Sequence, residues 1–438
     1  MVAVKTGERY IPVMTYVAEG SRDREIGLRE LETLVGSSLD SCPRIDKAIA
    51  LPPDYTRLHS MAGPVTDALY RALGDRLAAV MPALGTHSPM TATEIASMYP
   101  GTPAGLFRAH DWRRDLVELG RVSASFVSEV SEGAVNYDWP AQTNRLLAQG
   151  GFDRIISIGQ VVPHEVVGMA NHAKNIFVGA GGKEGIDKSH FLGAAYGMER
   201  MMGRTDTPVR KVFDKAMEFA PGRLPPVLWM LTVVGRKDDG SLALRGFFSG
   251  DDRECFEKAS ALAREVNLEM LDEGIRKAVV WLDPGEYKST WLGNKAIYRT
   301  RMAMADGGEL LILAPGLIHF GEDPGIDALI RRFGYRPSAQ IRRLAASEPD
   351  LAASLSAAAH LIHGSSEGRF TVRYAPGPGL SRKEIESVGF EWADPGETMK
   401  RYDPAALRQG FNTMPDGERI FFVPNPALGL WSLRSRFE

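Results

Sequence analysis

His164, Lys174 and His190 fall within one short stretch of chain, in the contexts Pro163-His164, Asn171-His172-Ala173-Lys174 and Asp187-Lys188-Ser189-His190. Histidine gives and takes protons near neutrality, with an unperturbed pKa of about 6.5, and its neutral ring is a common metal ligand. A lysine between two such residues offers an amine for covalent chemistry. The segment thus combines a base, a covalent anchor and a metal ligand in one supersecondary unit. Familiar motifs do not account for it. His164-Glu165-Val166-Val167 is followed by Gly168 where a zincin needs its second histidine, and Gly182-Lys183 is followed by Glu184 rather than the Ser or Thr of a P-loop. Gly-x-Ser-x-Gly is absent, which weakens a serine hydrolase reading.

Further polar groups stand at predicted strand ends. Asp54-Tyr55-Thr56-Arg57 follows an apolar run, and Arg57 offers a bidentate fork for a carboxylate or phosphate. The plainer alternative is a surface ion pair between Arg57 and Asp54. Gly85-Thr86-His87 puts a histidine in a loop before a helix opening near Thr93. His110-Asp111 reads as a ring oriented by a carboxylate or, more simply, as a helix entry capped by Asp111. His172 is expected to be a solvated loop histidine, and Lys295 by itself reads as a surface lysine. His59, His319, His360 and His363 form no recognisable constellation.

An α/β architecture is expected to position these groups, because short β-rich runs alternate with helical periodicity. The strands are Ala48 to Leu51, Arg154 to Gly159, Val227 to Val234, Lys277 to Leu282, Glu309 to Ala314 and Arg419 to Val423. Glu257 to Glu273 has helical spacing without Gly or Pro, and Ser381-Arg382-Lys383-Glu384 is a capping box. At 438 residues the chain suits two lobes of mixed or parallel sheet with helices, and an active site in the cleft between them. The expected domains are 1–265, carrying the catalytic histidines, the lysine and the metal ligand, and 266–438, whose C-terminal tail is free to return to the first. A net charge of -3 argues against nucleic acid and anionic membranes as partners. Two cysteines, Cys42 and Cys255, exclude a disulfide framework. The first residues lack a leader's apolar core, and no apolar run approaches the roughly 20 residues of a membrane span. A cytoplasmic setting is the expectation.

Taken together, His164, Lys174 and His190, with His87 upstream and Lys295 before the Gly307-Gly308 turn, resemble the lactate racemase family. Asp54-x-Thr56-Arg57, Gly85-Thr86-His87 and His110-Asp111 resemble further motifs of that family in the same order, from near residue 45 to near residue 320. The resemblance implies a nickel-pincer nucleotide, a pyridinium-3-thioamide-5-thiocarboxylate mononucleotide carrying Ni, attached covalently to Lys174. It implies His190 as the single protein ligand to nickel and His87 and His164 as the acid–base pair. Arg57 and Lys295 would lie beside the pyridinium and the substrate carboxylate, while Asp54 and Thr56 orient Arg57 or the cofactor phosphate. The implied reaction inverts C2 of a 2-hydroxy acid by hydride transfer through a planar 2-keto acid. The implied partners are that small molecule and the enzymes that make and deliver the cofactor.

Two departures bear on the substrate. Lactate racemases carry Tyr-Gln where this chain has Trp291-Leu292, which removes a carboxylate donor. The glycine-rich run before the tethering lysine is replaced by Ala170-Asn171-His172-Ala173, whose polar groups suit a larger, hydroxylated substrate. Trp291, Asn171 and His172 are therefore expected to line the substrate, and a sugar acid such as gluconate, epimerised to mannonate, is the expected class. The alternatives are a lactate-sized substrate, an NAD(P)-dependent 2-hydroxyacid dehydrogenase, which would lack the Gly-x-Gly-x-x-Gly fingerprint, and a non-catalytic cofactor carrier.

Overall fold

The apolar run Ala48–Leu51 shows no alternation because both of its faces are covered: all four residues are buried. The computed structural model describes residues 3–6, 9–12, 14–237 and 239–437. Met1, Val2, Gly7 and Glu8, part of the start read for a leader, lie outside the described residues. The chain divides into two units, Met1–Ser189 with Met202–Asn267, and His190–Met201 with Leu268–Glu438.

The first unit is built on β1 (Thr15–Gly20), β2 (Ala48–Leu51), β3 (Leu77–Val80), β4 (Arg154–Gln160), β5 (Val227–Arg236) and β6 (Leu242–Gly250), in the order β1-β6-β5-β4-β2-β3. The four strands from β3 to β5 run parallel, and β6 and β1 close the far edge antiparallel. Helix α1 (Leu28–Ser41) buries Leu31 and Val35, and α2 (Ala62–Leu73) buries Val65, Leu69 and Leu73 at helical spacing. Both contribute to one core with Ala48, Ala50, Ile156 and Ile158. After β2 the chain crosses to β3 on one side and later to β4 on the other. The order reverses at β2, so a crevice opens where β2 and β4 end. Helix α3 (Lys183–Tyr196) begins in this unit, and α4 (Glu254–Asn267) is its last helix.

The second unit has the same logic. Strands β7 (Ile275–Trp281), β8 (Met304–Ala314), β9 (Thr371–Pro376), β10 (Glu391–Trp392), β11 (Gly410–Thr413) and β12 (Arg419–Val423) lie in the order β10-β9-β8-β7-β12-β11. All neighbours are parallel except β11 with β12. Its switch point is where β7 and β12 end. The short helices α5 (Thr290–Gly293) and α6 (Lys295–Thr300) follow β7.

The expected strands are all present, and Ser381 does make the capping box with Glu384. One element differs. The helix expected to reach Glu273 stops at Asn267, and Leu268–Leu271 is a strand paired in parallel with Leu430–Leu433. Tertiary pairing overrides a periodicity that fitted either state. Among the described residues no helix is long and apolar enough to cross a membrane.

Candidate active site

Three loops leave neighbouring parallel strands of the first unit, and each carries predicted chemistry. Pro52 and Pro53 stop β2, since proline has no N–H for the ladder. Asp54 then caps the turn Tyr55–Ser60 by accepting from the Thr56 amide at 3.2 Å, and the same Oδ1 accepts from the Thr56 hydroxyl. Its other oxygen lies 2.6 Å from His87 Nδ1, on the loop after β3. That loop is held by Gly85, whose φ of +58° suits glycine and whose N–H donates to Gly179 O at 2.8 Å. The Asp54 side chain is 7% exposed and that of His87 is 55% exposed. Burial alone would raise the Asp54 carboxyl, but the hydrogen bond and charge of His87, then Thr56 and Arg57, hold it below the ordinary value. No Asp54–Arg57 ion pair forms among the described residues. Asp54 and Thr56 serve His87 instead of Arg57, whose guanidinium is exposed with Nη1 3.4 Å from Thr56 O.

His164 follows β4 and opens a two-residue antiparallel pairing, Pro163–His164 with Gly168–Met169. Its Nδ1 accepts from the Val166 amide at 3.1 Å, and the Glu165 carboxylate is 3.7 Å from the same nitrogen. The ring is mostly buried, with a side-chain exposure of 12%.

Lys174 sits on a turn built under strain. Asn171 and His172 both adopt left-handed backbone, with φ of +71° and +59°. Asn171 Oδ1 accepts from the His172 amide at 2.7 Å, and buried Arg210 donates to Met169 O at 2.7 Å and to Asn171 O at 3.2 Å. Beyond Lys174 a π-turn, Asn175–Gly179, is fastened to β4 by Asn175 Nδ2, 3.2 Å from Ser157 Oγ and 3.3 Å from Ile158 O. Single π-turns recur at functional sites. Gly179 has no room for a side chain, since a Cβ there would lie 2.6 Å from Ala83 Cβ on the His87 loop. The Lys174 side chain keeps some surface, but its amine is set among protein groups. Burial first, then Arg57 and Arg210, bring its pKa down to about 8, with Glu165 and Asp54 working the other way.

The expectation of a solvated His172 is corrected. The residue is 6% exposed, its ring stacks between Trp229 at 4.1 Å and Phe256 at 5.1 Å, and among the described residues neither ring nitrogen has a partner at hydrogen-bond distance. The Asp252 backbone weakly favours the charged form, but burial, then Arg210 and Arg253, push the imidazole well below its ordinary pKa. His110 also departs from expectation. Its Nε2 donates to Gly181 O at 2.9 Å, and Asn144, not a carboxylate, meets Nδ1 at 2.8 Å. Residues 111–115 turn without forming a helix; the Asp111 carboxylate accepts from the Arg113 amide, and its backbone carbonyl from the Arg114 and Asp115 amides.

His190 lies in the second half of α3 and groups, with the residues up to Met201, with the second unit. The ring is half-buried. In that unit Lys295 opens α6 at the switch point. Its ammonium is 5.7 Å from the ring of buried Tyr287, whose hydroxyl meets Asn425 after β12 at 3.2 Å. Trp291, half-buried on α5, stacks at 4.2 Å on His360. His360 is held by Tyr335 Oη at 2.9 Å, and burial, then His363, bring its pKa to about 3, so it is a neutral support for the indole. Arg210, Tyr287 and His360 were not legible beforehand, because each acts through a partner remote in sequence. A hollow of about 400 Å³ elsewhere in this unit is lined by Lys277, Glu309, Arg401 and Glu418, which pair with one another.

The strand-end loops and the two switch points define an α/β protein of doubly wound type whose first unit carries a hydrogen-bonded Asp54–His87 pair and the buried Lys174 amine. Residues 26–201 match the profile of the lactate racemase N-terminal domain, the family that the sequence motifs resemble. None of the curated proteins matches. Among solved structures, the chain is similar to a crystal structure of a protein from Thermotoga maritima, with 25% identity and a TM-score of 0.77 over 93% of this chain and 98% of that one. It is also similar in fold to the lactate racemase apoprotein from Thermoanaerobacterium thermosaccharolyticum, with 14% identity and a TM-score of 0.66 over 98% and 99% of the two chains.

Proposed function

We propose that this protein inverts C2 of a 2-hydroxy acid with a nickel-pincer nucleotide tethered to Lys174. The observation that carries the proposal is the Lys174 amine, with a pKa near 8, set within electrostatic reach of Arg57 and of the Asp54 carboxylate that holds His87. An amine partly deprotonated near neutrality suits covalent attachment. His190 would be the one protein donor to the nickel, with the remaining donors coming from the bound group. When bound, the group supplies the hydride acceptor for the carbinol carbon.

The chain's own residues do the rest. His87, with its Nδ1 proton on Asp54, takes the hydroxyl proton at Nε2, and Asp54 stabilises the imidazolium that results. His164, with Glu165 beside its Nδ1, serves the oxygen from the other side. Arg57 and Lys295 hold anionic groups, keeping the planar 2-keto acid in register. Asn171 and His172 build the turn under Lys174, so they no longer argue for a hydroxylated substrate. A sugar acid of the gluconate type then rests on Leu292, an apolar side chain where the family's glutamine holds lactate. The second reading, a 2-hydroxy acid with an apolar side chain, is favoured by Trp291 and Leu292, both half-buried and apolar.

The test is protein produced together with the cofactor-biosynthesis enzymes, weighed intact, assayed for nickel, and screened for C2 inversion against 2-hydroxy acids of increasing length. The proposal expects added mass at Lys174, nickel, and inversion without added NAD(P). Active protein with unmodified Lys174, or activity requiring NAD(P), would overturn it.

A further inference from the structure

The two acid–base histidines differ in what their Nδ1 atoms face. His87 Nδ1 lies 2.6 Å from Asp54 Oδ2, and an ionised carboxylate only accepts. That nitrogen therefore carries the proton, and Nε2 the lone pair. His164 Nδ1 lies 3.1 Å from the Val166 backbone nitrogen, which only donates. There the lone pair is on Nδ1 and the proton on Nε2.

We propose that the protein holds this pair in opposite tautomers, His87 as proton acceptor and His164 as hydrogen donor at Nε2, so that the resting site is set for one hand of its substrate. The consequence for catalysis rests on the functional reading above, whereas the tautomers stand on geometry alone. Asp54 and the Val166 amide are the positioning groups. Glu165, 3.7 Å from His164 Nδ1, is beyond hydrogen-bond reach, so the nearer amide sets the neutral ring. For His164 to act as base, its proton must move from Nε2 to Nδ1 through solvent. That shift breaks the Val166 bond and leaves Nδ1–H facing the carboxylate. The hand whose hydroxyl meets His87 needs no such rearrangement.

Asp54 also fixes what a substitution must do. Its Oδ1 accepts from the Thr56 amide and hydroxyl, so in Asp54→Asn that position must stay an oxygen. The new NH₂ then points at His87 Nδ1 and drives the ring to the other tautomer.

Nitrogen-15 NMR of histidine-labelled apoprotein, assigned with His87→Gln and His164→Gln, reads the tautomers without any cofactor. The expected spectrum has a protonated Nδ1 and bare Nε2 for His87 and the reverse for His164. Asp54→Asn should swap the His87 pattern, and Glu165→Gln should leave that of His164 unchanged. The same tautomer in both rings of the wild type would overturn the proposal, as would a switch of His164 in Glu165→Gln. In loaded protein, the first turnover should run roughly fivefold faster from one hand, the factor of a single backbone hydrogen bond. Equal first turnovers would overturn the poise. Opposite tautomers in a protein that inverts no 2-hydroxy acid would support the assignment and overturn the functional reading instead.

Discussion

The Asp54–His87 corner and the Asn171–Lys174 turn belong to the same unit and feel each other's charges, yet they are built on opposite principles. In the corner every polar group has a complement: Asp54 takes three hydrogen bonds, and His87 remains open to solvent on its other side. The turn collects what the corner avoids. It has two left-handed non-glycine residues, a buried imidazole whose nitrogens lack hydrogen bonds among the described residues and an amine that burial pushes toward neutrality. A satisfied site suits reversible proton traffic. A strained one persists only where the surroundings over-determine it, and here Arg210, Asn175 and Gly85 do so. The difference supports the proposed division, with proton transfer at the corner and covalent holding at the turn, where an acylated Lys174 would no longer carry the charge that burial opposes.

The sharpest way to break that assignment is Lys174→Met. Activity and cofactor mass should vanish, while the apoprotein becomes more stable. The folded pKa, about 8, lies below the unfolded value of 10.5, so the penalty is fully present below pH 8 and relieved as pH rises toward 10.5. The gap amounts to about 3 kcal/mol at pH 7. Urea unfolding should show the variant gaining on wild type by that order at pH 7 and losing the advantage near pH 10.5. A less stable variant at pH 7 would mean that the amine is not strained. Next in size is Asp54→Asn, which should lower kcat by roughly a thousandfold or more through the wrong His87 tautomer, with thermal stability little changed. A loss under tenfold would show that His87 does not depend on Asp54.

The corner's parts were legible in sequence and its wiring was not. Asp54, Thr56 and His87 announce themselves as polar residues just after apolar runs, and the family resemblance placed them together. Only the parallel pairing of β2 with β3, however, brings Asp54 to His87 across 33 residues of chain. Within the segment alone, Arg57 was the nearer partner. The turn was harder still. His172 reads as a loop histidine because its neighbours are small and polar, whereas its environment comes from Trp229 and Phe256, far along the chain. The strands were readable because buried parallel strands are continuous apolar runs. The end of α4 was not, since Leu268–Leu271 fits a helix equally well until its partner strand is known.

His172→Phe separates the imidazole's shape from its chemistry. It keeps the stack and removes two unpartnered nitrogens, so stability at pH 7.5 should rise by about 1 kcal/mol. His172 has a folded pKa depressed below the unfolded value, so its neutral form is favoured by folding. Stability of the wild type is therefore lost as pH falls below about 6.5, and His172→Phe should flatten that slope in denaturant titrations between pH 7 and 5. An unchanged slope would place a proton-accepting partner at the ring.

The smallest effect tests the backbone itself. At Asn171 the side chain contributes one hydrogen bond to the His172 amide, and the residue holds φ at +71°. Alanine removes the bond and tolerates that conformation poorly, so Asn171→Ala should destabilise by about 2 kcal/mol. Glycine removes the same bond but adopts positive φ freely, so Asn171→Gly should lose no more than about 1 kcal/mol. The order of the two variants carries the argument, because both delete the same side-chain contact. Should alanine prove the milder change, the turn would be held by side-chain packing instead of backbone conformation. The contrast with the corner would then reduce to the charge of Lys174 alone.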